Sequence, residues 1–114
     1  MDNTTAASRR RLADYLYEQA RWRDLNAEEH PDDDRNRRSA DGLRSLASHV
    51  HNLDDDDERL YVLAALDADH DDTFRPGAEA ERLTRRFDLR NESPDAWFER
   101  FIDALSRDRG RNHR

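Results

Sequence analysis

The amino-acid sequence predicts an all-α fold, a small antiparallel bundle of about four to five helices. Apolar residues recur at intervals of three, four and seven along several segments, which is the period of a helix with one buried face. No segment alternates apolar and polar residues, and β-branched residues are scarce, so no strand is expected. The connections between the helical segments are short, except from Asp67 to Gly77, which favours antiparallel neighbours.

The first two helices are expected to form a long N-terminal hairpin. The first runs from about Thr5 to Glu29 and ends before Pro31, because Pro disfavours the helical conformation of the residue that precedes it. Pro31 then starts the second helix, and the three Asp residues after it suit the positive end of the helix dipole. The apolar face of the first helix consists of Leu12, Tyr15, Leu16, Trp22 and Leu25, and the buried stripe of the second consists of Ala40, Leu43, Leu46, Ala47, Val50 and Leu53.

A third and a fourth helix follow this hairpin. Asp54 or Asp55 is expected to cap the third helix, which contains the unbroken apolar run from Leu60 to Leu66. The fourth helix is expected to carry the apolar residues Leu83 and Phe87, through Arg86.

The fifth helix has the sharpest start. Ser93 is expected to be its N-cap and Pro94 its first residue, the positions at which these residue types are favoured. Its broad apolar face consists of Trp97, Phe98, Phe101, Ile102 and Leu105. Residues 1–106 are therefore expected to form one helical domain, and residues 107–114 a frayed, flexible Arg-rich tail.

Composition limits the class of protein. The chain has 114 residues, 27 acids, 20 bases, a formal net charge of −7 and 34% hydrophobic residues, which predicts one small acidic domain. Because Cys is absent, disulfides, thiolate zinc sites and a Cys nucleophile are excluded. No apolar run has the length of a membrane span and no signal peptide is evident, so we expect a cytoplasmic protein without a membrane partner. Every base is Arg and only one Ile occurs, a composition typical of a GC-rich, bacterial genome.

The segment from residue 67 to residue 74 is a candidate metal site. Asp67, Asp69 and Asp71 alternate, and an apolar residue occupies the eighth position, so the segment resembles an EF-hand calcium loop. The sixth position lacks the Gly of the sharp turn and the twelfth lacks the bidentate Glu, since Glu79 lies one residue late. We therefore expect a structural acidic loop and no cofactor, and calcium binding is the alternative function.

No motif for catalysis is present, so we expect a protein that is not an enzyme. The sequence has no Gly-rich phosphate loop and no nucleophile motif. His49 and His51 lie two residues apart on a helix, where their side chains point in nearly opposite directions and cannot share a metal ion.

Clusters of Arg at residues 9–11, 21–23 and 35–38 predict nucleic-acid binding as a further alternative. The N-terminal helix and the Arg-rich tail would supply that surface. The acidic segment 54–72 opposes it, because the field of that segment repels a polyanion. Nucleic acid is therefore not an expected partner.

The leading hypothesis is a protein–protein interaction or regulatory module. Aromatic residues concentrate on the first and fifth helices, and large aromatic side chains are the usual anchors of protein interfaces. The predicted interaction residues are Tyr17, Trp22, Trp97 and Phe98. Trp97 is also expected, with Phe101, at the centre of the core. A small chain with few aliphatic residues would gain stability from self-association, so a homodimer is a further expectation.

Overall fold

A computed structural model of the chain describes residues 3–67 and 74–111, and this part contains helices but no strand. The helices are α1 (Asn3–Glu29), α2 (Arg35–His51), α3 (Glu58–Leu66), α4 (Ala78–Arg85) and α5 (Pro94–Arg111). The all-α class and the predicted number of helices are confirmed. None of these helices in the described part is both long and apolar enough to cross a membrane.

The long N-terminal hairpin is also confirmed. At one end of the hairpin, Arg9 on α1 donates a hydrogen bond to the carbonyl oxygen of Leu53, which follows α2, at 2.8 Å. Toward the other end, Arg44 on α2 pairs with Asp24 on α1 at 2.7 Å. These contacts run in opposite order along the two helices, so α1 and α2 are antiparallel.

Two helix starts differ from the prediction because an Asp side chain holds the backbone in a turn. The carboxylate of Asp33 accepts the backbone N–H of Arg35 at 3.0 Å, and α2 therefore begins at Arg35, four residues after Pro31. The cap of α3 is Asp57, which accepts the backbone N–H of Arg59 at 2.9 Å, and not Asp54 or Asp55.

The C-terminal boundary is corrected as well. Helix α5 begins as predicted, because the Ser93 hydroxyl accepts the backbone N–H of Ala96 at 3.1 Å. The helix then continues through Arg111, where we expected a tail from residue 107. Asp108 is buried and Arg109 donates to the carbonyl oxygen of Leu66 at 2.9 Å, so the helical domain includes these residues. Residues 112–114 lie outside the described part.

The core is built around the aromatic side chains of α5. The rings of Trp97 and Phe101 stack with their centroids 4.7 Å apart. Phe87, two residues after the end of α4, meets the Trp97 ring edge-on with the ring centroids 6.4 Å apart, and the ring centroids of Phe74 and Phe101 are 6.1 Å apart. The predicted stripe of α2 closes the core from the other side, with Ala40, Leu43, Leu46, Ala47 and Val50 buried.

The apolar face of α1 is buried only in part. Leu12 and Leu16 are fully buried, as predicted. Trp22 and Leu25 are 57% and 55% exposed, which corrects their assignment to the same buried face. The buried residue nearest the C-terminal end of α1 is Ala27, so small side chains fill that end of the hairpin.

Helix α4 is capped by a residue from a distant part of the sequence. Its N-cap residue, Gly77, has no side chain to cap with, and the carboxylate of Asp108 on α5 accepts the backbone N–H groups of Glu79 and Ala80 at 3.2 and 3.0 Å. A Cβ atom at Gly77 would overlap the Asp108 side chain. The glycine therefore allows the close approach of α5 that completes the cap.

The two tryptophans provide a matched test of this core. Trp97→Ala removes a fully buried side chain and should lower the free energy of unfolding by about 3–5 kcal/mol. Trp22→Ala removes an exposed one and should change it by no more than about 0.5 kcal/mol. Urea denaturation measures both values, and equal losses for the two variants would contradict the core described here.

Candidate interaction surfaces

Helix α3 is apolar on all sides from Leu60 onward, but in the described part of the chain only one of its faces packs into the core, against α1 and α5. Its seven residues from Leu60 to Leu66 are all apolar. Leu60, Leu63 and Ala64 are buried in the core, as expected for one face of a helix. Tyr61 and Val62 are 50% and 43% exposed, and Ala65 is exposed too. We call Tyr61, Val62 and Ala65 the outer face of α3.

Charged side chains hold the start of α3 against α5. The guanidinium group of Arg59 pairs with Asp57, the cap of α3, and with Asp95 on α5, each at 2.8 Å. It also lies over the ring of Phe98, 5.0 Å from the centroid. Arg59 lowers the pKa of both carboxyl groups from their usual value through its hydrogen bonds. His49 adds a contact of 3.0 Å to Asp95.

The end of α3 is held by a second set of polar contacts. Asp67 is 2% exposed, and its Oδ2 atom accepts hydrogen bonds from Ser8 at 3.0 Å and from Arg11 at 2.8 Å. Arg109 donates to the carbonyl oxygen of Leu66. Both ends of the short helix are therefore fixed, and the outer face is presented in one orientation.

Two of the four candidate metal ligands are engaged by other side chains of the protein. Asp67 binds Arg11 and Ser8, and Glu79 pairs with Arg107 at 2.8 Å. Asp69 and Asp71 lie outside the described residues. Within residues 3–67 and 74–111, no group of three or more His, Asp or Glu side chains is placed to hold a metal ion.

The four predicted interaction residues separate into two pairs. Trp97 and Phe98 are fully buried, which corrects their assignment to an exposed surface and leaves them in the core. Tyr17 and Trp22 are 48% and 57% exposed, but five residues separate them, which is about 140° around the helix axis. Trp22 instead shares one side of α1 with Leu25, one turn later.

Several of the clustered Arg residues bind groups of the protein itself. Arg9 bonds to the carbonyl oxygen of Leu53 and pairs with Asp55, and Arg11 pairs with Asp67. Arg35 pairs with Asp33 at 2.7 Å. Arg9 and Arg35 therefore hold the segments at the two ends of the hairpin, and Arg11 holds the end of α3.

A groove of about 620 Å³ runs beside α2 and the start of α5. It is lined by Asp41, Arg44, Ser45, Ser48, His49, Asn52 and Pro94. The charged groups that line it are engaged, because Arg44 pairs with both Asp24 and Asp41 and His49 contacts Asp95. Its chemistry is therefore that of a polar surface held by ion pairs.

Comparison with known proteins finds no matching family model. It also finds no curated protein and no solved structure with significant similarity to the chain. The assignment of a function rests on the geometry of these surfaces.

The outer face of α3 is the feature that the sequence analysis missed. The signal was present in the run from Leu60 to Leu66, since a helix with one buried face needs an apolar stripe and not seven consecutive apolar residues. In the sequence analysis that run predicted only the presence of a helix. Its excess of apolar residues is what leaves apolar side chains exposed on the outer face.

The Arg59 contacts predict a pH-dependent stability. A carboxyl group whose pKa is lowered by folding stabilises the protein above its unfolded pKa, about 3.9 for Asp, and this contribution is lost as the pH falls. Arg59→Met should therefore lower the free energy of unfolding by about 1 kcal/mol at neutral pH and by less below about pH 4. Arg10→Met, at an exposed residue, is the control. Urea denaturation across this pH range checks the difference, which a pH-independent loss would contradict.

Proposed function

We propose that the protein is a non-enzymatic interaction module that binds a protein partner through the outer face of α3. The observation that carries the proposal is the exposure of Tyr61, Val62 and Ala65 on a helix whose opposite face fills the core. An exposed apolar surface on a small domain is typical of a site of protein association.

The composition of the chain supports the proposal, because it makes the exposure of two large apolar side chains unusual. Only 34% of the residues are hydrophobic and 41% are charged, so large apolar side chains are scarce. Tyr61 and Val62 nevertheless lie outside the core, at positions where a polar residue would be compatible with the helix. Their contribution to the fold is small, and a contact with another protein explains their presence.

The way in which α3 is held also supports the proposal. Arg59 fixes its start and Arg109 its end, so little motion of the helix is lost when a partner binds. A surface that is already ordered binds with a smaller entropy cost than one that must fold on contact.

A second exposed apolar pair on α1 supports the same function. Trp22 and Leu25 lie one turn apart, and the guanidinium of Arg23 lies 5.5 Å from the centroid of the Trp22 ring. An exposed Trp is a common anchor of protein interfaces. We propose this pair as an additional contact, for the same partner or for a second copy of the chain.

Site-specific photo-crosslinking in the cells that produce the protein tests the proposal. A photoreactive side chain at Ala65, on the outer face, should yield a discrete covalent adduct with one partner. The same side chain at Ala96, an exposed residue of α5, is the matched control and should yield none. The mass of the adduct distinguishes a second copy of the chain from a different protein.

A second variant connects the adduct to the apolar contact. Val62→Asp places a charge in the outer face and should abolish the adduct formed from position 65, while circular dichroism shows an unchanged helical fold. No adduct from position 65, or the same adducts from positions 65 and 96, would overturn the proposed function.

A further inference from the structure

We propose that the occupant of the outer face of α3 is a basic amphipathic helix of a partner protein, an inference that rests on the proposed function. The outer face is small, because Tyr61, Val62 and Ala65 span little more than one helical turn. A stable protein interface buries about 800 Å² on each partner. The contact must therefore extend to the side chains around the outer face.

The side chains at the start of α3 form an acidic rim beside the outer face. The rim consists of Asp54, Asp55, Asp56 and Glu58, all of them exposed. Glu58 lies three and four residues before Tyr61 and Val62, which places it on the same side of the helix. Asp55 pairs with Arg9, whereas Asp56 and Glu58 form no ion pair with any residue in the described ranges.

The base nearest to this rim in the sequence does not pair with the rim residues. The guanidinium of Arg59 lies over the ring of Phe98, and it pairs with Asp95 on α5 and with the cap residue Asp57, which is not part of the rim. The apolar outer face is therefore bordered at its N-terminal end by negative charge. Charge complementarity requires Arg or Lys side chains at the corresponding place on the partner.

The shape of the surface selects a helix as the partner element. The outer face is the convex side of a helix, and the part of the chain that the structure describes contains no strand whose edge could pair with an extended peptide. Helices pack on one another by fitting ridges of side chains into grooves. A partner helix with a stripe of Leu-like residues, flanked by basic residues, matches both the apolar face and the rim. Polyanions such as nucleic acids would be repelled by the rim.

Two synthetic peptides test the chemistry of this occupant. The probe is an amphipathic peptide of leucine and arginine, about four helical turns long, and the comparison peptide has glutamate in place of every arginine. Fluorescence anisotropy with the intact chain should show saturable binding of the arginine peptide, weakening as salt increases, and no binding of the glutamate peptide.

Matched variants distinguish attraction of the peptide to the acidic rim from attraction to the net negative charge of the whole chain. Asp56→Asn with Glu58→Gln should weaken binding of the arginine peptide about fivefold, and Val62→Ser should weaken it as much. Glu28→Gln with Asp32→Asn removes the same two kinds of charge from exposed residues at the far end of the α1–α2 hairpin, and should leave the affinity unchanged. Equal weakening by the two pairs would show attraction to an acidic protein in general and would overturn the inference.

The two proposals fail in distinguishable ways. No binding of the arginine peptide, or equal binding of the glutamate peptide, overturns the basic-helix inference. If the adduct from position 65 still forms under those circumstances, the interaction function stands with a partner of another chemistry. If the adduct is also absent, both proposals are wrong.

Discussion

The aromatic cluster on α5 is the contact on which the other elements depend. Trp97 and Phe101 stack against each other, and each receives a ring from another part of the chain, Phe87 from the end of α4 and Phe74 from the segment before α4. Phe98 lies beneath the guanidinium of Arg59 from α3. Trp97, Phe98 and Phe101 are the largest fully buried side chains in the described part of a chain that has few large apolar residues.

Charged side chains then position the elements that the aromatic cluster does not hold. Asp108 caps α4 from α5, and Asp67 connects the end of α3 to Ser8 and Arg11 on α1. Buried hydrogen bonds to charged groups are directional, and an unpaired partner would be costly, so such contacts favour one arrangement of the helices. They bring the short α3 into a fixed position, and its outer face is exposed as a consequence.

The sequence predicted the elements whose signals are local. The stripe of α2 and the Ser93 cap of α5 were correct because each depends on residues within a few positions of one another. The roles of Asp67 and Asp108 could not be read from the sequence, since their partners lie 56 and 28 residues away. The exposure of Trp22 could not be read from the period of α1, because helical periodicity shows which residues share a face and not how far along that face a neighbouring helix extends. For the candidate surface, the sequence shows the apolar run of α3, but it does not show which residues of that run are exposed in the fold.

The two faces of α3 differ in their contribution to the fold, because one is buried in the core and the other is exposed. Urea denaturation of Val62→Ala and Leu63→Ala, neighbours on opposite faces, tests this division most directly. Leu63→Ala should lower the free energy of unfolding by about 2–5 kcal/mol, because it leaves a cavity in the core. Val62→Ala should lower it by less than about 1 kcal/mol. Losses of equal size would show that the outer face is needed for the fold and would contradict its proposed role as a surface for a partner.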